Sequence, residues 1–221
     1  GVLQPVVGLG QDAPQVLVVG LDRFHGVVDG ATDVVAFREL LADAEIRLDA
    51  GDLPGDPKTP EANREAIEGA VKTILDAGAT PLVLGGDDAV PIPVMAAYRD
   101  HGPIWVVQID AHIDWRDERF GEKLGWSSPM RRASEMGWVE GIVQLGARGV
   151  GSATPQEVED ARAWGANLIT AREIHARGIG DAFAAIPPGA NIFITLDCDG
   201  LDPSVMPAVA ARVPGGLTYW H

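Results

Sequence analysis

The chain has one cysteine, Cys198, in 221 residues, few aromatic side chains (6%), little positive charge and no apolar run long enough to span a bilayer. Each scarcity excludes something. A lone thiol cannot close an internal disulfide, which fits a reducing cytoplasm, and it offers none of the thiolate sets that hold structural zinc. The short apolar runs exclude a membrane-spanning helix. Lys and Arg number 17 against 32 Asp and Glu, a formal net charge of −15. Such a surface repels nucleic acid and favours cations, either metal ions or cationic substrates, although a solvated acidic surface that aids solubility explains net charge more simply. Nothing near Gly1 shows the basic, apolar and small-residue order of a secretory signal.

What is present is a 46% apolar chain long enough for one sizeable core, read as a single domain over residues 1–221. Short β-branched and aliphatic runs recur at Val16–Gly20, Ala44–Leu48, Leu82–Leu84, Ile104–Ile109, Ile142–Leu145, Asn167–Ile169 and Ile192–Leu196. These read as buried strands. Amphipathic stretches opened by Pro, Ser or Thr, at Pro60–Ala77, Ser127–Met136 and Pro155–Trp164, read as helices. Alternating strands and helices with short links predict an α/β fold with a parallel, doubly wound sheet covered on both faces. In such sheets ligands bind beyond the carboxyl ends of the strands. At the far end, Leu217–Trp220 reads as a helix start capped by Thr218, so the domain is expected to be incomplete at its C-terminus.

Three strand ends deliver acids: Gly85-Gly86-Asp87-Asp88, Asp110-Ala111-His112-Ile113-Asp114, and Asp197-Cys198-Asp199-Gly200-Leu201-Asp202-Pro203. Alternate residues of an extended segment share a face, so Asp110, His112 and Asp114 can converge, as can Asp197 and Asp199. Massed carboxylates in a partly dry cleft are costly without a counter-charge, which one or two divalent cations supply. A carboxylate-rich set with one imidazole suits a hard or borderline ion such as manganese, and water held between two such ions becomes a nucleophile near neutral pH. Taken singly, the pieces read more plainly. Asp202-Pro203 is a turn, Gly85-Gly86 a tight strand exit, Asp87 a cap, Cys198 a small neighbour facing away from the site, and His25, His101 and His175 are surface or loop residues.

From about Leu48 to Tyr219 the chain resembles the ureohydrolase family of arginases and agmatinases, the agmatinase-like branch in particular. The paired Asp-Ala-His-x-Asp and Asp-x-Asp-x-x-Asp-Pro motifs carry the resemblance, supported by Pro81–Asp87, Ser128–Ala133, Gln144–Gly149 and Pro214–Thr218. It implies a three-layer α/β/α fold of the arginase/deacetylase kind, a homo-oligomer such as a trimer or hexamer, and a centre of two manganese ions per subunit, nickel in some members. It also implies cleavage of a cationic guanidino compound, agmatine or a guanidino acid, to urea and an amine by a metal-bridging hydroxide. By position, Asp110 and Asp197 would bridge both ions, Asp114 would hold the first, and His112 with Asp199 the second.

The chain departs from the family pattern at several places. Asp88 stands where the family has histidine and is kept as a ligand of the first ion. Trp126, in Gly125-Trp-Ser-Ser-Pro129, replaces another histidine and is either a stacking surface for a cationic substrate group or a packed pocket wall. Ala208–Val213 replaces a Gly-Thr-rich segment, and the family's Arg- and Gly-rich N-terminal segment is not recognisable between Gly20 and Val35. The changes at Asp88 and Trp126 motivate the rival reading, a non-catalytic or regulatory subunit in a hetero-oligomer. A one-zinc deacetylase on the related fold is the third.

Overall fold

The computed structural model describes residues 15–21 and 46–221. They fall into two compact units, one ending at Gly86 and one running from Asp87 to His221. His25, residues 22–35 of the segment searched for the Arg- and Gly-rich motif, and the first two residues of the expected Ala44–Leu48 strand lie outside the described residues.

The first unit holds a three-stranded parallel sheet in the order β2-β1-β3, with β1 at Gln15–Leu21, β2 at Ile46–Leu53 and β3 at Ala79–Leu84. β2 runs past its apolar stretch to Leu53 because an edge strand needs only one neighbour and tolerates Gly51 and Asp52. Parallel strands need a long crossover, supplied by α1 (Pro60–Asp76). Pro60 pre-sets its first turn, and Ile67, Ala70, Val71 and Ile74 form its buried i, i+3, i+4, i+7 stripe.

The second unit is built on a parallel sheet in the order β6-β5-β4-β7, comprising β4 (Ile104–Ile109), β5 (Val139–Ala147), β6 (Asn167–Thr170) and β7 (Ile192–Leu196). Alternation along β4 sends Ile104 and Val106 to one face and Val107 to the other. On the first face they meet Met95 of α2 (Pro91–Ala96), Met130 and Ala133 of α3 (Pro129–Ser134), and Ala161 of α4 (Pro155–Trp164). On the second, Val107, Val143 and Leu145 meet Ala171 and Ile174 of α5 (Ala171–Arg177). Each fully buried side chain of this size contributes roughly 1.5–3 kcal/mol, so the two clusters fix which helix lies on which face.

Both α4 and α5 open with a reciprocal capping box, Thr154 with Glu157 and Thr170 with Glu173. That second box is the signal by which α5 was legible, and the sequence reading passed over it. α2 was also missed, since Pro91-Ile-Pro93 reads as a breaker although both prolines sit in the first turn, where they are tolerated. At the expected helix start, Leu217–Trp220, the chain makes a turn in which the Thr218 hydroxyl accepts the Trp220 N–H at 3.4 Å. Leu217 bridges in parallel to Leu201 and is buried, and the N–H of His221 donates to the Thr218 carbonyl at 3.1 Å. No described helix is long and apolar enough to cross a membrane.

In this sheet the chain order reverses at β4, which has β5 on one side and β7 on the other. Ligands of such sheets bind beyond the carboxyl ends of the strands beside the reversal, and there Asp110 and Asp197 follow β4 and β7.

Candidate metal centre

The β4 and β7 ends are locked in register. Ile109 pairs with Leu196, the Asp197 N–H donates to the Ile109 carbonyl at 2.9 Å, and the Asp110 N–H donates to Leu145 at 3.0 Å. Beyond β7 the chain turns at once into a single 3₁₀ turn, Cys198–Gly200, capped by the Asp197 carboxylate, which accepts the Asp199 N–H at 2.8 Å. A Cβ at Gly200 would lie 2.8 Å from the Asp110 backbone nitrogen, so only glycine lets this turn press against the end of β4. Arg148 clamps the same turn. Its guanidinium donates to the carbonyls of Gly146, Asp199, Gly200, Leu201 and Val213 at 2.7–3.2 Å. Asp202 reads as a turn residue in the structure too. Its carboxylate accepts from Ser204, Gly215 and Gly216, and these bonds pull its pKa far below the usual carboxylate range.

With the ends so fixed, two ligand-quality clusters form. Asp110, His112 and Asp199 make one, and Asp88, Asp110 and Asp197 the other, with one donor atom from each residue within 4.8 Å of the rest. Asp110 belongs to both. His112 Nδ1 lies 3.2 Å from an oxygen of Asp110 and 3.2 Å from one of Asp199. Asp114, buried and in the left-handed region at φ 49°, a conformation that aspartate tolerates better than most residues, turns its carboxylate toward those of Asp88 and Asp110. Thus the five aspartates and the one histidine expected at the centre come together, while Trp126 is not among them. Its ring is half exposed, and the Arg119 guanidinium stacks 4.1 Å from the ring centroid.

The electrostatics are those of massed, mutually repelling carboxylates. Burial, then Asp110, pushes the Asp88 carboxyl up to about 8, and burial, then Asp110, raises Asp197 to about 6. Burial likewise raises Asp110 and, more strongly, Asp114. Asp199 is the exception: burial works to raise it, but hydrogen bonds from His112 and from the Ala111 N–H win and hold it low. Bonds to Asp110 and then Asp199 lift His112 to about 10. One buried oxygen of Asp88, Oδ2, has no hydrogen-bond partner. An orphaned carboxylate oxygen among repelling acids is what a divalent cation satisfies, so the residues present fit the ion that the donor set implies.

The other expectations for single residues also find their places. Asp87 caps the next turn, accepting the Ala89 N–H at 3.1 Å. His175 lies on the exposed side of α5, where its Nε2–H donates to the Gly216 carbonyl at 2.8 Å, and Cys198 is half buried. Arg148 and the buried pair Gln108 and Gln144 were given no role from sequence. A polar residue inside each of two apolar strand runs was the available signal.

A carboxylate and imidazole centre at the carboxyl ends of a parallel sheet defines an α/β protein of the kind that holds divalent cations. The chain belongs to the Arginase family, which it matches over residues 29–221, and to the agmatinase-like branch of it. Proteins of this family depend on a binuclear metal centre. The chain is 30% identical over 199 residues to the human mitochondrial guanidino acid hydrolase, covering 87% of this chain and 55% of that protein. It is 28% identical over 204 residues to the agmatinase of Bacillus anthracis, covering 90% and 64%. It therefore spans between about half and two thirds of the length of these relatives. The structure of arginase from Bacillus caldovelox superposes with a TM-score of 0.77 at 24% identity, over 94% of this chain and 83% of that one. The fold is the three-layer α/β/α fold of that class, with a mainly parallel sheet.

Proposed function

We infer that the chain is a metal-dependent amidinohydrolase that cleaves a guanidino compound, agmatine or a guanidino acid, to urea and an amine. The observation that carries this reading is the pair of clusters sharing Asp110, with an unsatisfied Asp88 oxygen between repelling carboxylates. Asp88, Asp110, Asp114 and Asp197 would hold one ion and Asp110, His112, Asp197 and Asp199 the other. Manganese is the first choice and nickel the second. Bound there, the ion pair would supply Lewis acidity and a water acidic enough to attack near neutral pH. The chain's own residues do the rest. Asp110 and Asp197 fix the spacing between the two positions, and the acidic surroundings attract and orient a guanidinium. His112 gives up its proton when it becomes a ligand. The family match runs through both compact units, which supports a single ureohydrolase-like domain. The working form in this reading is a cytoplasmic homo-oligomer, a trimer or hexamer.

The test loads the full chain separately with manganese and nickel, counts bound metal, and assays urea from agmatine, guanidinobutyrate, guanidinopropionate and arginine. Two ions per chain and urea from one of these are expected. Fewer than two ions and no urea under either metal would establish the rival reading, a regulatory subunit with an active partner.

Trp126 is the proposed recognition surface for the cationic part of the substrate. Arg119, whose guanidinium lies 4.1 Å from the ring centroid, supports this reading, and a cationic substrate would compete with that arm for the ring. Trp126→Ala is expected to raise KM for agmatine about tenfold while kcat changes little, Trp126→Phe to raise it less, and Arg119→Ala to lower it. Steady-state kinetics decide this; unchanged KM in both Trp126 variants would leave the ring a wall.

A further inference from the structure

Gln108 and Gln144 are directly opposite each other in the β4–β5 register, and both are buried on the apolar helix-covered face of the sheet. Two primary amides in an apolar core are costly unless every hydrogen finds an acceptor. Here every one does. The Trp115 indole N–H donates to Gln144 Oε1 at 2.7 Å. Gln144 Nε2 donates to Gln108 Oε1 and to the Ile113 carbonyl, the latter at 2.7 Å. Gln108 Nε2 then donates to Asp110 Oδ2 at 2.8 Å and to Asp114 Oδ2 at 2.6 Å.

The chain of bonds runs one way only. An indole nitrogen can donate but not accept, so Trp115 dictates that Gln144 presents its oxygen there and its nitrogen to Gln108. Gln108 must then accept from Gln144, which leaves its two amide hydrogens for the two aspartates. Turning either amide over would set donor against donor at one end and acceptor against acceptor at the other. Trp115 is itself immobilised, being buried among Met130, Ala133 and Ala161 with Trp164 at 6.2 Å.

We propose that Trp115, Gln144 and Gln108 are positioning residues, a directional donor relay that presents Asp110 and Asp114 to the ions in one fixed orientation. The proposal rests on the metal-centre reading above and adds to it how the apolar core reaches the carboxylates. Outer groups that hold a ligand by hydrogen bonds commonly control affinity as strongly as some ligands do. The relay also joins β4, β5 and the Asp110–Trp115 loop, so the first and last groups of the motif cannot drift apart independently.

The test measures manganese affinity by calorimetric titration, with the melting temperature of the metal-free protein as a separate readout. Trp115→Phe keeps the buried ring and removes only the donor; it is expected to weaken manganese binding about tenfold. Gln108→Leu is expected to weaken it by about tenfold to a hundredfold. In the double variant the Trp115 change adds nothing further, because its effect passes through Gln108. Lowered melting temperatures with manganese affinity within about twofold of the parent, or effects that add in the double variant, would overturn the relay. If Gln108→Leu does not fold, Trp115→Phe alone decides between tenfold and unchanged affinity. A parent chain that takes up neither manganese nor nickel overturns the metal reading and this proposal together, whereas a parent with two ions and variants that match it overturns the relay alone.

Discussion

Asp110→Ala is expected to empty both metal positions and to lower urea release by about three orders of magnitude or more, whereas His112→Ala is expected to leave one ion in place. The asymmetry follows from geometry. Asp110 contributes an oxygen to each cluster, while His112 contributes to one. Asp110 also receives the His112 N–H at 2.6 Å and the Gln108 amide at 2.8 Å, so its carboxylate is the node through which the loop and β4 are joined. Losing an ion that stabilises developing charge costs catalysis at least as much as losing an oxyanion donor, about 10²–10³-fold each. Metal counting by elemental analysis, with far-ultraviolet circular dichroism to verify folding, checks the result. Two ions retained in Asp110→Ala would remove it from the centre.

The metal-free protein is expected to melt on the order of 10 °C lower at pH 8.5 than at pH 5.5, and saturating manganese to reverse the order. Asp88 goes from an ordinary 3.8 to about 8 in the folded chain, and Asp197 to about 6. Above pH about 4 the unfolded chain therefore ionises first, the folded chain holds more protons, and stability falls as pH rises toward 8. His112 adds to the trend. Its raised value of about 10 contributes stability that is complete below its ordinary 6.5 and is lost as pH climbs toward 10. Asp199, held low, contributes stability lost only at acid pH, outside this window. A divalent cation takes over from the protons, so binding releases them and tightens with pH. Thermal scans with and without manganese at the two pH values test this. A metal-free melting point that is flat or rises across the window would show that these carboxylates do not repel one another as described.

The carboxylates and the imidazole were legible in the sequence because they sit in short motifs at strand ends, but the extended alternation expected to aim Asp110, His112 and Asp114 is not what the chain does: past Ile109 it bends, and Asp114 turns inward through a left-handed backbone at φ 49°. Most strands were legible as apolar runs, and Ile104–Ile109 is buried as expected, whereas Ile192–Leu196, also read as a buried strand, forms β7 at the edge of its sheet with Ile192, Ile194 and Leu196 exposed. Local signals misled where short helices depend on position rather than pattern, as with Pro91–Ala96.

By itself, then, the sequence determined the α/β class, which rests on the alternation of strand and helix runs, and, through the likeness of its paired acidic motifs, the family to which the chain belongs. Only the tertiary structure decided that Arg148 clamps the 199–201 turn, that Arg119 covers Trp126, and that Trp115 reaches Asp114 through Gln144 and Gln108. Gln108 and Gln144 are 36 residues apart in the chain. Their meeting is set by the register of two parallel strands, and register is fixed by the packing of both sheet faces rather than by any residue's neighbours in sequence.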